Sequence, residues 1–93
     1  MRTIDRSSEF KRDYKRESKG QHRTVLSDAF TSVLAILATD QPLDVRHRDH
    51  DLSGNWAGYR ECHIKPDLLL IYRKVGSDTL RLARLGSHSE LFG

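Results

Sequence analysis

The sequence predicts an α+β fold in a single domain, residues 1–93. Three observations carry that prediction. A helical apolar repeat runs through about residues 22–39. From Ala57 onward, three strand-length segments are separated by turn-sized gaps. The chain is also too short to bury a second core. The expected order is a short strand, two helices, an antiparallel meander and a terminal helical turn.

Residues 1–5 form the short strand, with Ile4 as its anchor. Ser7 or Ser8 can cap a helix that runs to Lys19, and Gly20 offers its stop. The apolar residues of this helix, Phe10 and Tyr14, lie one turn apart, so it should rest on the surface. Glu9, Asp13 and Glu17 are then expected to pair with Lys and Arg neighbours on a solvated face. The second helix spans His22 to Thr39. Leu26, Ala29, Phe30, Val33, Leu34 and Leu37 form its apolar face, which Val25 and Ile36 widen. Asp40-Gln41-Pro42 ends it, because proline cannot continue the hydrogen-bond ladder.

The period then shortens toward two. Residues 57–65, 68–74 and 79–85 read as strands, joined at Lys65-Pro66-Asp67 and Gly76-Ser77-Asp78. Leu69, Ile71, Leu80 and Leu82 are expected to face the helices. After Gly86, Ser87 and Glu90 have the spacing of a capping box, which places His88 at the first position of a short helical turn.

The net charge of +3 is unevenly spread. Arg2, Arg6, Lys11, Arg12, Lys15, Arg16, Lys19 and Arg23 face only Asp5, Glu9, Asp13 and Glu17 in residues 1–24, while the remainder is slightly acidic. A basic segment attracts phosphate backbones without reading sequence. Pairing along a helix explains the same residues without any ligand. No apolar run approaches the roughly 18 residues of a membrane span, and the first residues lack the apolar middle of a signal peptide. Cys62, the only cysteine, has no internal disulfide partner. A cytoplasmic domain with no membrane partner is the expectation.

The histidines carry the chemical signal. His47 and His50 lie in a charged loop, His63 on the first meander strand and His88 on the terminal turn, while His22 stands apart. A meander can bring His50, His63, Asp67 and His88 to one rim. As metal ligands, His47, His50, Cys62, His63, Asp67 and His88 match no familiar zinc spacing, and Cys62 and His63 would point oppositely from a strand. No metal or other cofactor is expected.

Metal-free RNA cleavage needs one group to take the 2′-hydroxyl proton and another to protonate the leaving 5′-oxygen. Imidazoles suit both tasks, because both of their forms are available near neutrality. Arg60 or Arg84 can supply a cation for the phosphate. Phe92 can stack on a base, an interaction worth about 1–3 kcal/mol, or simply cap the terminal turn. Gly54, Trp56 and Gly58 read as a structural turn, Tyr72 as packing and Cys62 as a small buried residue.

The stretch DHDLSGNWAGYRECHIKPDLLLIYRK, followed by RLARLGSHSELFG, resembles the RelE/ParE superfamily of toxins, and within it the YafQ-type branch. The shared elements are an Asp-His before L-x-G-x-W-x-G-x-R, a histidine, a Pro-Asp turn, an L-x-I-Y strand and a final G-[ST]-H-x-x-L-F-G. They cover the second half strongly, while the helical half agrees in length and character.

The resemblance implies a RelE-like, microbial-ribonuclease fold and a toxin that enters the ribosomal A site and cuts the message there. It also implies a cognate antitoxin, through which any DNA contact would be made. The site carried onto matching positions is His50, His63, Asp67, His88 and Phe92, all present. His50 and His88 are expected as base and acid, with His88 protonating the leaving oxygen. His63 and Asp67 would position the phosphate and the other histidines. Two alternatives remain open: a ParE-like poison of DNA gyrase, which does not require this histidine set, and a non-enzymatic binding module that uses only the basic helices.

Overall fold

The computed structural model describes residues 1–20, 22–24 and 26–93. The elements are β1 (Thr3–Arg6), α1 (Ser8–Ser18), a π-helical turn (Leu26–Phe30) leading into α2 (Thr31–Ala38), β2 (His50–Asp51), β3 (Arg60–Lys65), β4 (Leu68–Val75), β5 (Thr79–Gly86) and α3 (His88–Phe92). The strands form one sheet in the order β1-β5-β4-β3-β2. The meander is antiparallel as its short turns require, and β1 joins the far side of β5 in parallel. The class is the expected α+β, with a mixed sheet.

Strand alternation sorts the side chains onto two faces. On one face, Cys62, Ile64, Leu68, Leu70, Tyr72, Leu80, Leu82 and Leu85 pack under Phe10, Phe30, Val33 and Leu37 of the helices. On the other, Leu69, Ile71 and Ala83 pack with Leu91 of α3 and with Leu52, Trp56 and Tyr59. Leu80 and Leu82 therefore face the helices as expected, whereas Leu69 and Ile71 face away from them. The correction has a simple cause. Residues 68–72 are buried on both faces, so hydrophobicity does not alternate along them and gives no phase.

A bulge changes the phase again in β5. Ile71 pairs with Arg84 but Tyr72 with Leu82, which leaves Ala83 without an opposite partner. Ala83 joins the second face, Leu85 returns to the helix face, and the Arg84 side chain, though opposite Ile71, reaches α1. There its Nε donates to Asp13 Oδ2 at 2.7 Å, and the Leu85 amide donates to the same oxygen at 3.0 Å. Asp13 and Glu17 are consequently buried, not part of the expected solvated face.

Ser7, not Ser8, caps α1: its hydroxyl accepts from the Phe10 amide at 3.0 Å and donates to the Ala83 carbonyl at 2.8 Å. Such a cap is worth about 1 kcal/mol. The second helical segment begins at Leu26, later than its apolar pattern suggested. His22 to Thr24 form turns, and Val25, read as part of the apolar face, lies outside the described residues. The predicted capping box at Ser87 and Glu90 is formed, so α3 starts at His88. A side chain at Gly86 would bring Cβ to 2.8 Å from Arg16 Nη2 and 3.1 Å from Glu90 Oε1. Glycine there lets α1 and α3 meet over the end of β5.

Removing the Asp13 carboxylate strands Arg84 and the Leu85 amide together. Asp13→Ala is expected to cost about 2–4 kcal/mol in urea unfolding, against less than about 0.5 kcal/mol for the exposed Glu9→Ala. Equal effects would show that Asp13 is no joint between helix and sheet.

Candidate active site

The face away from α1 and α2 carries the histidines. His63 pairs with Leu69, and Leu69 with Gly86, so the three lie in line across β3, β4 and β5. With strands about 4.8 Å apart, His63 is roughly two strand steps from the end of β5, where His88 begins two residues later. The β3–β4 turn that holds Asp67 lies at the same end of the sheet. On the other side of β3, His50 pairs with Glu61. The β-ladder thus assembles residues drawn from positions 50 to 92.

Glu61 is the hub of this arrangement. It is buried, and its Oε1 lies 3.2 Å from His63 Nε2 and 3.8 Å from His50 Nε2. The His50 ring is fixed from behind, because Nδ1 donates to the Arg48 carbonyl at 2.6 Å. That bond leaves the Nε2 lone pair of a neutral His50 ring as its free basic position. His47, in contrast, is structural: it is buried, and Nδ1 donates to the His63 carbonyl at 2.7 Å, satisfying the edge of β3 beyond β2. His88 is exposed and lies against Phe92, with ring centroids 5.0 Å apart. Phe92 itself remains 37% exposed.

The structure engages both Arg60 and Arg84 with carboxylates outside this cluster. Arg60 shares the helix-side phase of Cys62, opposite to Glu61 and His63, and is held by Asp49 at 3.1 Å and by Asp51. Tyr72 donates its phenol proton to the same Asp49. Burial and that carboxylate push the phenol pKa up, which keeps Tyr72 protonated. Arg84, opposite Ile71 in the ladder, is committed to Asp13. Other cations in phase with the histidine face are Arg73, whose guanidinium lies 5.7 Å from the Tyr59 ring centroid, and Arg81, which is paired with Asp5 at 3.0 Å.

Glu61 and the link from Glu17 through His22 to Asp67 escaped the sequence. Glu61 sits in a loosely alternating strand, where a charged residue normally marks the solvent side. The readable signal was its i, i+2 relation to His63, which puts both on one face. Asp67 meets His22 Nε2 at 3.1 Å, and His22 Nδ1 bonds Glu17 at 2.9 Å. No local pattern links positions 17, 22 and 67. Trp56 and Tyr59 pack edge to face, with centroids 5.3 Å apart, beside the histidine face. Gly54 and Gly58, at φ of 66° and 92°, provide the turns that hold the tryptophan there, as the structural reading expected.

Comparison with known proteins places this chain among bacterial toxins. The model of the YafQ family, bacterial toxins of type II toxin–antitoxin systems, matches residues 2–93. The mRNA interferase toxin YafQ of Escherichia coli strain K12 is 38% identical over 93 residues, covering all of this chain and 98% of the relative. A crystal structure of the E. coli DinJ–YafQ complex matches with a TM-score of 0.82 at 35% identity over the whole of both chains. A metal-bound toxin from Helicobacter pylori matches with a TM-score of 0.81 at 44% identity, over 99% of this chain and 100% of that one.

Among the described residues of the present chain, no three His, Cys, Asp or Glu side chains gather as a metal-holding group. Of the six residues weighed as ligands, three are engaged apart from the histidine face: Cys62 lies in the helix-side core, His47 is bound to backbone, and Asp67 is paired with His22. Burial pushes the Cys62 thiol pKa up, away from the reactive thiolate. Native protein at pH 8 is therefore expected to resist iodoacetamide for hours while denatured protein is alkylated within minutes, read by mass spectrometry. Comparable rates would place the thiol on an accessible surface.

Proposed function

Because the chain belongs to the YafQ family of type II toxin–antitoxin toxins, we propose that it is an endoribonuclease that cuts messenger RNA in the ribosomal A site and so stops translation. The observation that carries this reading is the shared face on which His50 and His63 meet Glu61 while His88 and Phe92 stand at the end of β5. The relative named as an mRNA interferase supports the substrate. The complex of a relative with DinJ supports a cognate antitoxin as partner. DNA contact belongs to that antitoxin, and the cytoplasm, where ribosomes and message are found, is the site of action. No helix among the described residues is long and apolar enough to cross a membrane.

His50 is the general base. Its Nδ1–H is spent on the Arg48 carbonyl, so Nε2 is the nitrogen that takes the 2′-hydroxyl proton. The 2′-oxygen then bonds to phosphorus, and the bond to the 5′-oxygen breaks. His88, exposed at the start of α3, gives that oxygen its proton. His63, oriented by Glu61, faces the phosphate, and Asp67 shapes the same end of the site. Phe92 offers its face to a neighbouring base. Arg60 and Arg84 are engaged by Asp49, Asp51 and Asp13, as Arg81 is by Asp5, so Arg73 is the cation of this face placed to meet a flanking phosphate. No step needs a metal ion or other cofactor.

Exposed Lys11, Arg12 and Lys15 give α1 a basic outer surface for ribosomal RNA. Binding to ribosomes is expected to weaken several-fold or more between about 50 and 200 mM salt; salt-independent binding would count against that surface.

His50→Ala and His88→Ala should each slow cleavage of a message on translating ribosomes by about 10²-fold or more, with unfolding midpoints near the parent's. Near-parental cleavage by both variants would contradict the assignment. Absence of cleavage by the folded parent itself would turn attention to the gyrase or binding-module readings.

A further inference from the structure

Behind Asp67, on the helix side of the molecule, lies a buried histidine that the cleavage chemistry does not use. His22 is 6% exposed and so is Glu17, its hydrogen-bond partner at 2.9 Å. The other ring nitrogen, Nε2, lies 3.1 Å from Asp67 Oδ2. Both nitrogens therefore face oxygens that, as carboxylates, only accept hydrogen bonds. A neutral imidazole has one N–H and one lone pair, so it would set that lone pair against a carboxylate. An imidazolium presents N–H to both.

We propose that His22 is a positioning residue of the cleavage site: as a buried imidazolium between Glu17 and Asp67, it fastens the β3–β4 turn, and Asp67 with it, to the end of α1. This rests on the reading of Asp67 as part of that site. Asp67 is otherwise exposed, and among the described residues no other side chain is paired with it. The same end of α1 also holds the other half of the site. Arg16 bonds Glu17 Oε2 at 3.0 Å, lies 3.3 Å from Glu90 Oε2 and donates to the Leu85 carbonyl at 3.0 Å. Glu90 in turn accepts from the Ser87 amide beside His88. One turn of helix thus sets the positions of both Asp67 and His88.

The charges that face His22 are Glu17 from α1 and Asp67 from the β3–β4 turn. Arg16 of α1 and Glu90 of α3 line the same cleft. Burial favours the neutral ring, and the two carboxylates outweigh it, so the His22 pKa is raised. A raised pKa in the folded state means that the clamp is complete below the ordinary histidine pKa of about 6.5 and is lost as pH rises through the folded value. Neutral His22 must then release one carboxylate.

The test uses the whole chain labelled with 15N-histidine. The parent is expected to show both His22 ring nitrogens protonated at pH 7, with the resonances assigned by their loss in His22→Gln. Asp67→Asn should lower the proton affinity of His22 by about tenfold. In the cleavage assay, His22→Gln and Asp67→Asn should each lose about tenfold, and the double variant should lose no more than Asp67→Asn alone. A neutral His22 at pH 7, or a titration unmoved by Asp67→Asn, overturns the clamp. Multiplying losses in the double variant overturn the positioning role. Should His22→Gln fail to fold, Asp67→Asn carries the titration test unaided. A parent that cleaves no RNA would defeat the ribonuclease reading instead, and the clamp would still stand or fall on the titration.

Discussion

β4 contributes five consecutive buried side chains, Leu68 to Tyr72, and a strand can bury such a run only when both faces of its sheet are covered. The helices and their connecting turn cover one face. The other is covered only partly, by α3 and the Trp56–Tyr59 pair. What remains open on that second face is where the β-ladder delivers the histidines. Strand alternation then decides membership: Glu61 and His63 stand on the open side because Cys62 and Ile64 fill the core on the helix side. The site is in this sense the unfinished face of the core, and its position follows from the packing of β4.

Polar groups are buried at this boundary, and each has its partner. Among the described residues no buried side-chain oxygen or nitrogen lacks one. Asp13 joins α1 to the β5 bulge, Glu61 joins two histidines, and Glu17 and His22 join the end of α1 to the turn at Asp67. A buried carboxylate that loses its partner leaves an uncompensated charge, so these groups constrain geometry more than a surface pair would. The scaffold and the site are consequently held by the same side of α1 that composition alone marked as solvated.

The legible parts of the sequence were those with local grammar. The capping box at Ser87 and Glu90, the glycine-framed Trp56, the helical repeat leading to Leu37 and the turns of the meander each obey a short-range rule, and the structure contains them. His50, His63, His88 and Phe92 were readable as a group because a resemblance linked motifs that spacing alone left apart. The phase of Leu69 and Ile71 was not readable, because a run buried on both sides gives no alternation. Arg84 stands opposite Ile71 by register, and only its contact across to Asp13 of α1, seventy-one positions away, commits it elsewhere. The Glu17–His22–Asp67 contact spans fifty positions, and only the folded chain shows it.

The central claim is that histidines on this face drive attack by the RNA's own 2′-hydroxyl, and the chemical ends of the product test it most directly. Mass spectrometry of a message cleaved on the ribosome should find a 2′,3′-cyclic phosphate, or the 3′-phosphate formed from it, on one fragment and a 5′-hydroxyl on the other. A 3′-hydroxyl with a 5′-phosphate, the outcome of attack by water as in metal-assisted hydrolysis, would contradict the account.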